Sequence, residues 1–258
     1  MTRLAWDQTT ERRYETGTDH GVLYLSDSSG VAWPGLTSVE EDFSSETTNP
    51  LYFDGVKYLD EPTFGDYAAT LSAYTYPLEF LEYEGMADMG DGILADGQQP
   101  KPFGLSYRTL VGDFAKGVDA GYQIHIVYGV TAVPSSKSRG TISENPEMLE
   151  FSWQLNAVPQ FVYGYRPTAH VILDNTLLPP LIMGRIEDIL YGNEENEPHL
   201  PTIEELIGAL VVIIDNGDGT YTAIGPDSAV HLLAPTLFEI KSSVATVTGP
   251  DTYILSSP

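Results

Sequence analysis

Apolar and polar residues alternate most regularly across residues 121–160, GYQIHIVYGVTAVPSSKSRGTISENPEMLEFSWQLNAVPQ. In its first part Tyr122, Ile124, Ile126 and Tyr128 fall on one face and Gln123, His125 and Val127 on the other. In its last part Leu149, Phe151, Trp153, Leu155 and Ala157 oppose Glu150, Ser152, Gln154 and Asn156. A period of two, carried by β-branched and aromatic residues, predicts two strands. One apolar and one polar face is the pattern of an antiparallel sheet packed on a single side. The expected core is therefore Tyr122, Ile124, Ile126, Phe151, Trp153 and Leu155. The connection, 134–147, is too long for a tight turn, and loops of that length usually bind something or stay disordered.

The same periodicities predict the rest of the chain. Strands are expected at 22–25, 68–76, 105–111 and 168–174. A hairpin is expected at 51–59, where Asp54-Gly55 supplies the two positive-φ positions of a type I′ turn. Pro77 opens PLEFLEYEG, a short helix stopped by Gly85, with Leu78 and Leu81 facing inward. Residues 180–191 place Ile182, Ile186, Ile189 and Leu190 at helical spacing. Thr202, with Glu205 three residues on, forms the capping box of another short helix. Strands 105–111, 122–130, 148–158 and 168–174 form an antiparallel meander, and the N-terminal strands supply a second layer. The expected fold is mainly β: an antiparallel β-sandwich with a flanking α-helix. It occupies 1–192, followed by an acidic linker and short helix at 193–209. A small β-rich appendage at 210–258 completes the chain.

Composition changes this picture mainly through charge. The chain of 258 residues carries 12 Lys+Arg against 37 Asp+Glu, a formal net charge of -25. Such a surface repels phosphate and argues against nucleic-acid adhesion. No apolar run approaches the roughly 20 residues of a membrane helix, and the first residues lack the apolar segment of a secretory signal. With 0 Cys there are no disulfides or thiolate ligands.

Three segments carry a resemblance: RRYETG, GVLYL and GVAWPGLTSVEE near the start, and GYQIHIVYGVTAVPSSKSRGTISENPEMLEFSW at 121–153. In this order they resemble the major tail proteins of long-tailed, non-contractile bacteriophages, especially those of actinobacteria. The resemblance implies a structural virion protein whose β-sandwich forms hexameric rings. The rings stack into a tail tube, through which double-stranded DNA passes without adhering. It further implies tape-measure, tail-tip and terminator proteins as partners, no membrane, and assembly into the virion after synthesis in the host cytoplasm. Within that frame Glu150, Ser152, Gln154, Asn156, Gln123 and His125 are candidates to line the lumen. Pro134, Ser135, Ser136, Lys137, Ser138, Arg139, Gly140 and Thr141 are candidates for an inter-ring loop, with Lys137 and Arg139 docking on an acidic neighbour. The alternative is a virion-surface or extracellular β-sandwich that binds a ligand through its Tyr-rich face.

Catalytic motifs with correct spacing are missing: there is no HExxH, no GxSxG and no phosphate loop. Asp88, Asp91 and Asp96, and the DNGDG at 215–219, miss the calcium-loop spacing. His20, His125, His170, His199 and His231 are scattered along the chain. No enzyme activity, cofactor or metal is expected.

Overall fold

The structure is a computed structural model that describes residues 13–42, 51–59, 67–114, 116–135, 137, 139–141, 148–162, 165–215, 220–224, 245–249 and 252–256. It is mainly β, with antiparallel sheets and two α-helices. The strands are β1 (Arg13–Tyr24), β2 (Gly30–Trp33), β3 (Leu36–Asp42), β4 (Leu51–Phe53), β5 (Val56–Leu59), β6 (Ala68–Ala73), β7 (Ala87–Asp88) and β8 (Leu94–Ala95). They continue with β9 (Phe103–Asp113), β10 (Gly117–Pro134), β11 (Phe151–Ala157) and β12 (His170–Asp174). Helices α1 (Pro180–Tyr191) and α2 (Ile203–Ala209) follow, then β13 (Val212–Asp215), β14 (Thr220–Ile224), β15 (Ala245–Gly249) and β16 (Thr252–Ser256). Two compact units emerge: Met1–Asp27, Val31–Gln160 and Pro167–Leu173 make the first, and Ser28–Gly30, Phe161–Arg166 and Asp174–Pro258 the second.

The first unit is built on one sheet, ordered β2-β1-β9-β10-β11-β6-β3, with β12 also paired to β10. The two layers are parts of this one sheet, not a meander covered by separate N-terminal strands. Its end strands, β2 and β3, are consecutive in the chain and joined by Pro34-Gly35. Gly35 takes φ 87, and a Cβ there would lie 2.5 Å from Thr75 Oγ1. Only glycine fits such a position without strain. Folding the sheet over lets Leu23, Trp33, Leu71, Leu105, Val127 and Trp153, from six different strands, share one core cluster.

β12 does not extend the meander beyond β11. β9 takes one edge of the 18-residue β10, and β11 pairs with only Val130 to Pro134. The remaining length of the other edge is left for β12, and Tyr128 N–H donates to Ala169 O at 2.8 Å.

The face assignment of β10 also differs from expectation. It is the Gln123–His125–Val127 face that turns to the core cluster, in register with Thr109, Tyr107 and Leu105. At Gly129 (φ 59) the strand bulges, so the inward parity switches and Val130 and Ala132 continue the cluster. An inserted residue has this effect on a period of two. Ile124, Ile126 and Tyr128 on the opposite face are buried as well, so neither face is left for water. On β11 the reading holds: Trp153, Leu155 and Ala157 are buried, while Gln154 and Asn156 are exposed. Tyr122 and Phe151 are half-buried, with the Arg108 guanidinium over the Tyr122 ring at 4.9 Å.

Residues Leu78–Glu82 form a 3-10 helix after Pro77. Three residues per turn put Phe80 and Tyr83 on one side, and both are buried. Leu78, expected inside, is exposed. The Phe80 ring packs against Trp33, Phe103 and Trp153 with centroids 4.4, 5.5 and 5.2 Å away. The β4–β5 hairpin turns at Asp54 (φ 49) and Gly55 (φ 78), as type I′ requires.

In the second unit α1 spans Pro180–Tyr191 and buries Ile182, Met183, Ile186 and Leu190. Thr202 caps α2 with the expected reciprocal capping box. Strands β13-β14-β16-β15 form a four-stranded antiparallel sheet. Of the DNGDG segment at 215–219, residues 216–219 lie outside the described residues.

Candidate functional site

One polar assembly inside the first unit joins residues that stand far apart in the sequence. Glu41 comes from β3, Tyr107 and Thr109 from β9, His125 from β10 and His170 from β12. Register explains the meeting. Glu41 opposes Ala69 on β6, whose side chain belongs to the core, and His125 opposes Tyr107 on β9. All these side chains therefore point to the same interior. His125 is 5% exposed, and its ring stacks on Tyr107 with centroids 4.6 Å apart and planes 4° from parallel.

Three of its polar atoms converge, while the buried Tyr67 hydroxyl beside them has no hydrogen-bond partner among the described residues. His125 Nε2 meets Thr109 Oγ1 at 3.0 Å, and His125 Nδ1 meets His170 Nε2 at 3.1 Å. Glu41 Oε1 lies 3.6 Å from His125 Nδ1 and 3.8 Å from His170 Nε2, and it accepts a short hydrogen bond from the Tyr107 hydroxyl. The Tyr67 ring meets His170 edge-on at 5.0 Å. Burial pushes both histidines down to about 4, aided at His125 by the neighbouring His170 ring. Burial also raises the Tyr107 and Tyr67 hydroxyls far above the usual phenol range. At neutral pH both imidazoles are thus neutral.

His125 is for this reason withdrawn from the lumen candidates: it faces the inside of its own subunit, and Gln123 on the same strand is half-buried. Glu150, Gln154 and Asn156 are exposed and Ser152 half-buried. Glu150 Oε1 accepts from Thr37 Oγ1 at 2.5 Å.

The 134–141 loop has a root and a tip. Ser135 N–H donates to Ser152 O at 2.9 Å. Lys137 Nζ donates to Glu84 Oε2 at 3.0 Å, and Trp153 Nε1 donates to the same oxygen at 2.8 Å. Glu84 is fully buried, and Lys137 is 16% exposed on its side chain. Lys137 therefore neutralises a carboxylate of its own subunit and is not a free cation for a neighbour. Arg139, Gly140 and Thr141 are exposed, while Ser136, Ser138 and residues 142–147 lie outside the described residues. Asp88 and Asp96 accept the N–H groups of Gly90 and Gly97 at 2.8 and 2.7 Å, closing local turns.

Sequence reading missed the Glu41–His125–His170 meeting. Spacing along the chain carries no trace of it, because the sheet alone brings β3, β10 and β12 together.

No family model matches the chain, and no curated protein matches it. Among solved structures it is similar to a chain of the PVC sheath-tube complex of an extracellular contractile injection system in the extended state. That alignment has 12% identity and a TM-score of 0.30, and covers 60% of this chain and 88% of that one. It is similar also to a chain of the tube-terminating cap of the anti-feeding prophage, with 14% identity, TM-score 0.32 and coverage of 60% and 88%. A third is from the PVC sheath/tube terminator in the extended state, with 12% identity, TM-score 0.30 and coverage of 62% and 97%.

Proposed function

We propose that this chain is a structural subunit of a phage tail tube, of the long-tailed, non-contractile type, that forms hexameric rings stacked end to end. The observation that carries the reading is the stretch 121–153. Its resemblance to major tail proteins runs in order through strand, loop and strand, and the same residues supply β10, the loop and β11 at the centre of the sheet. The sheet ends in strands β2 and β3; Gly30 at the start of β2 already donates to Pro198 O, and the edge of β3 is the one that suits pairing between copies. A head-to-tail contact of that kind closes into a ring by cyclic symmetry.

The net charge of -25 suits a wall that double-stranded DNA passes without sticking. Repulsion acts over about 8–10 Å in ordinary salt. Glu150, Ser152, Gln154 and Asn156 of β11 are the proposed lumen face, and Arg139 with Gly140 and Thr141 the proposed inter-ring tip. Tape-measure, tail-tip and terminator proteins would be its partners in the virion, and the role is structural, not catalytic. No helix among the described residues is long and apolar enough to cross a membrane.

Negative-stain electron microscopy of the purified chain at high concentration, with light scattering beside it, tests the reading. Rings or hollow tubes are the expected result. A strict monomer that also fails to assemble on isolated tail tips would overturn it and favour a surface binding module.

A further inference from the structure

Glu41 Oε1, His125 Nδ1 and His170 Nε2 form a nearly equilateral triangle with sides of 3.1, 3.6 and 3.8 Å. A point equidistant from three atoms so spaced lies about 2.0 Å from each, within the range of zinc bonds to imidazole nitrogen and carboxylate oxygen. We propose that these three side chains are ligands of a divalent transition-metal ion of the zinc type, which pins β3 to β10 and β12 inside the first unit.

The donor set suits such an ion. Two imidazoles and one carboxylate favour zinc, cobalt or nickel over calcium or magnesium, which prefer all-oxygen sites. The surroundings are those of a ligand shell. In the tautomer whose Nε2–H donates to Thr109 Oγ1, 3.0 Å away, His125 presents the Nδ1 lone pair to the triangle. An outer partner that fixes a ligand tautomer in this manner is the usual companion of a metal-bound histidine. The Tyr107 hydroxyl donates to Glu41 and its ring stacks on His125, so one residue orients two ligands. Three protein ligands fill three corners of a tetrahedral ion and leave the fourth to a water.

The test uses the untagged full chain, dialysed against a chelator and titrated with Zn2+ by calorimetry. Co2+ absorption and a thermal melt accompany the titration. One equivalent per chain, a visible Co2+ spectrum of tetrahedral intensity and a melt that rises with Zn2+ are expected. Glu41→Gln and His170→Gln should each weaken binding by at least the roughly 10–100-fold that losing an outer partner costs, and Thr109→Val by an amount in that range. His20→Ala and His199→Ala should bind as the wild type does. Sub-stoichiometric Zn2+ without a Co2+ spectrum in the folded wild-type chain would overturn the proposal. So would undiminished binding in both ligand variants. If the variants fail to fold, the wild-type stoichiometry and Co2+ spectrum decide.

Discussion

Lys137 shows how a residue's role depends on what lies beneath it. In the sequence it is one of few cations in an acidic chain, sited in a polar loop, and reads as a docking charge. In the structure Glu84, buried in a helix-turn 53 residues earlier, claims it. Removing one partner of a buried ion pair typically costs about 3–5 kcal/mol. Lys137→Met should therefore lower stability by roughly 3 kcal/mol in a denaturant melt, whereas Arg139→Met should change it by less than about 0.5 kcal/mol. Equal effects would deny the difference between root and tip. His125 and His170 give a second residue-scale expectation. Their folded values of about 4 lie below the ordinary 6.5, so between those limits the unfolded chain binds more protons. Stability in chelator-treated protein is full above pH 6.5 and declines as pH falls toward 4, by up to roughly 3 kcal/mol per histidine. Glu41, Tyr67, Tyr107 and Thr109 are the groups facing the pair. Urea melts across that range with His125→Gln as control check it: the variant should lose part of the slope. None of this was legible in the sequence, where Glu41 and His170 stand 129 positions apart.

At the scale of elements the sequence was a better guide, and its failures share one cause. Alternation located β9, β10, β11 and β12, and local chemistry located the Asp54-Gly55 turn, α1 and the Thr202 cap. These depend on near neighbours alone. What alternation leaves open is whether the second face is inside too: on β10 Ile124 and Ile126 are buried as expected, but so are His125 and Val127 on the face expected to meet water. A single glycine bulge then reversed its parity midway. Leu78 and Phe80 were exchanged because a 3-10 turn has a different period from an α-helix. The Pro34-Gly35 connection is the element-scale point of weakness. Gly35→Ala should cost about 1–3 kcal/mol, from the positive φ and the clash with Thr75 together. Gly55→Ala, in a turn with open space around the Cβ, should cost less. A pair of thermal melts compares them.

For the whole molecule the net charge of -25 sets how copies meet. Like-charged subunits associate faster as salt screens them, so light scattering at fixed concentration should rise with NaCl from 20 to about 300 mM. Assembly that slows with salt would point to attraction between opposite charges instead. The order of the sheet also has a consequence in time. β1 pairs with β9, Arg13 opposite Asp113, so one of the first strands made waits for a partner about a hundred residues downstream. At the usual 5–20 residues per second of synthesis, Val22, Leu23 and Tyr24 spend on the order of 5–20 s outside the ribosome before β9 can cover them. The β9–β10 hairpin, whose strands are adjacent in the chain, closes with no such delay. The nascent chain thus has a window in which its earliest apolar strand depends on whatever else in the cell will shield it.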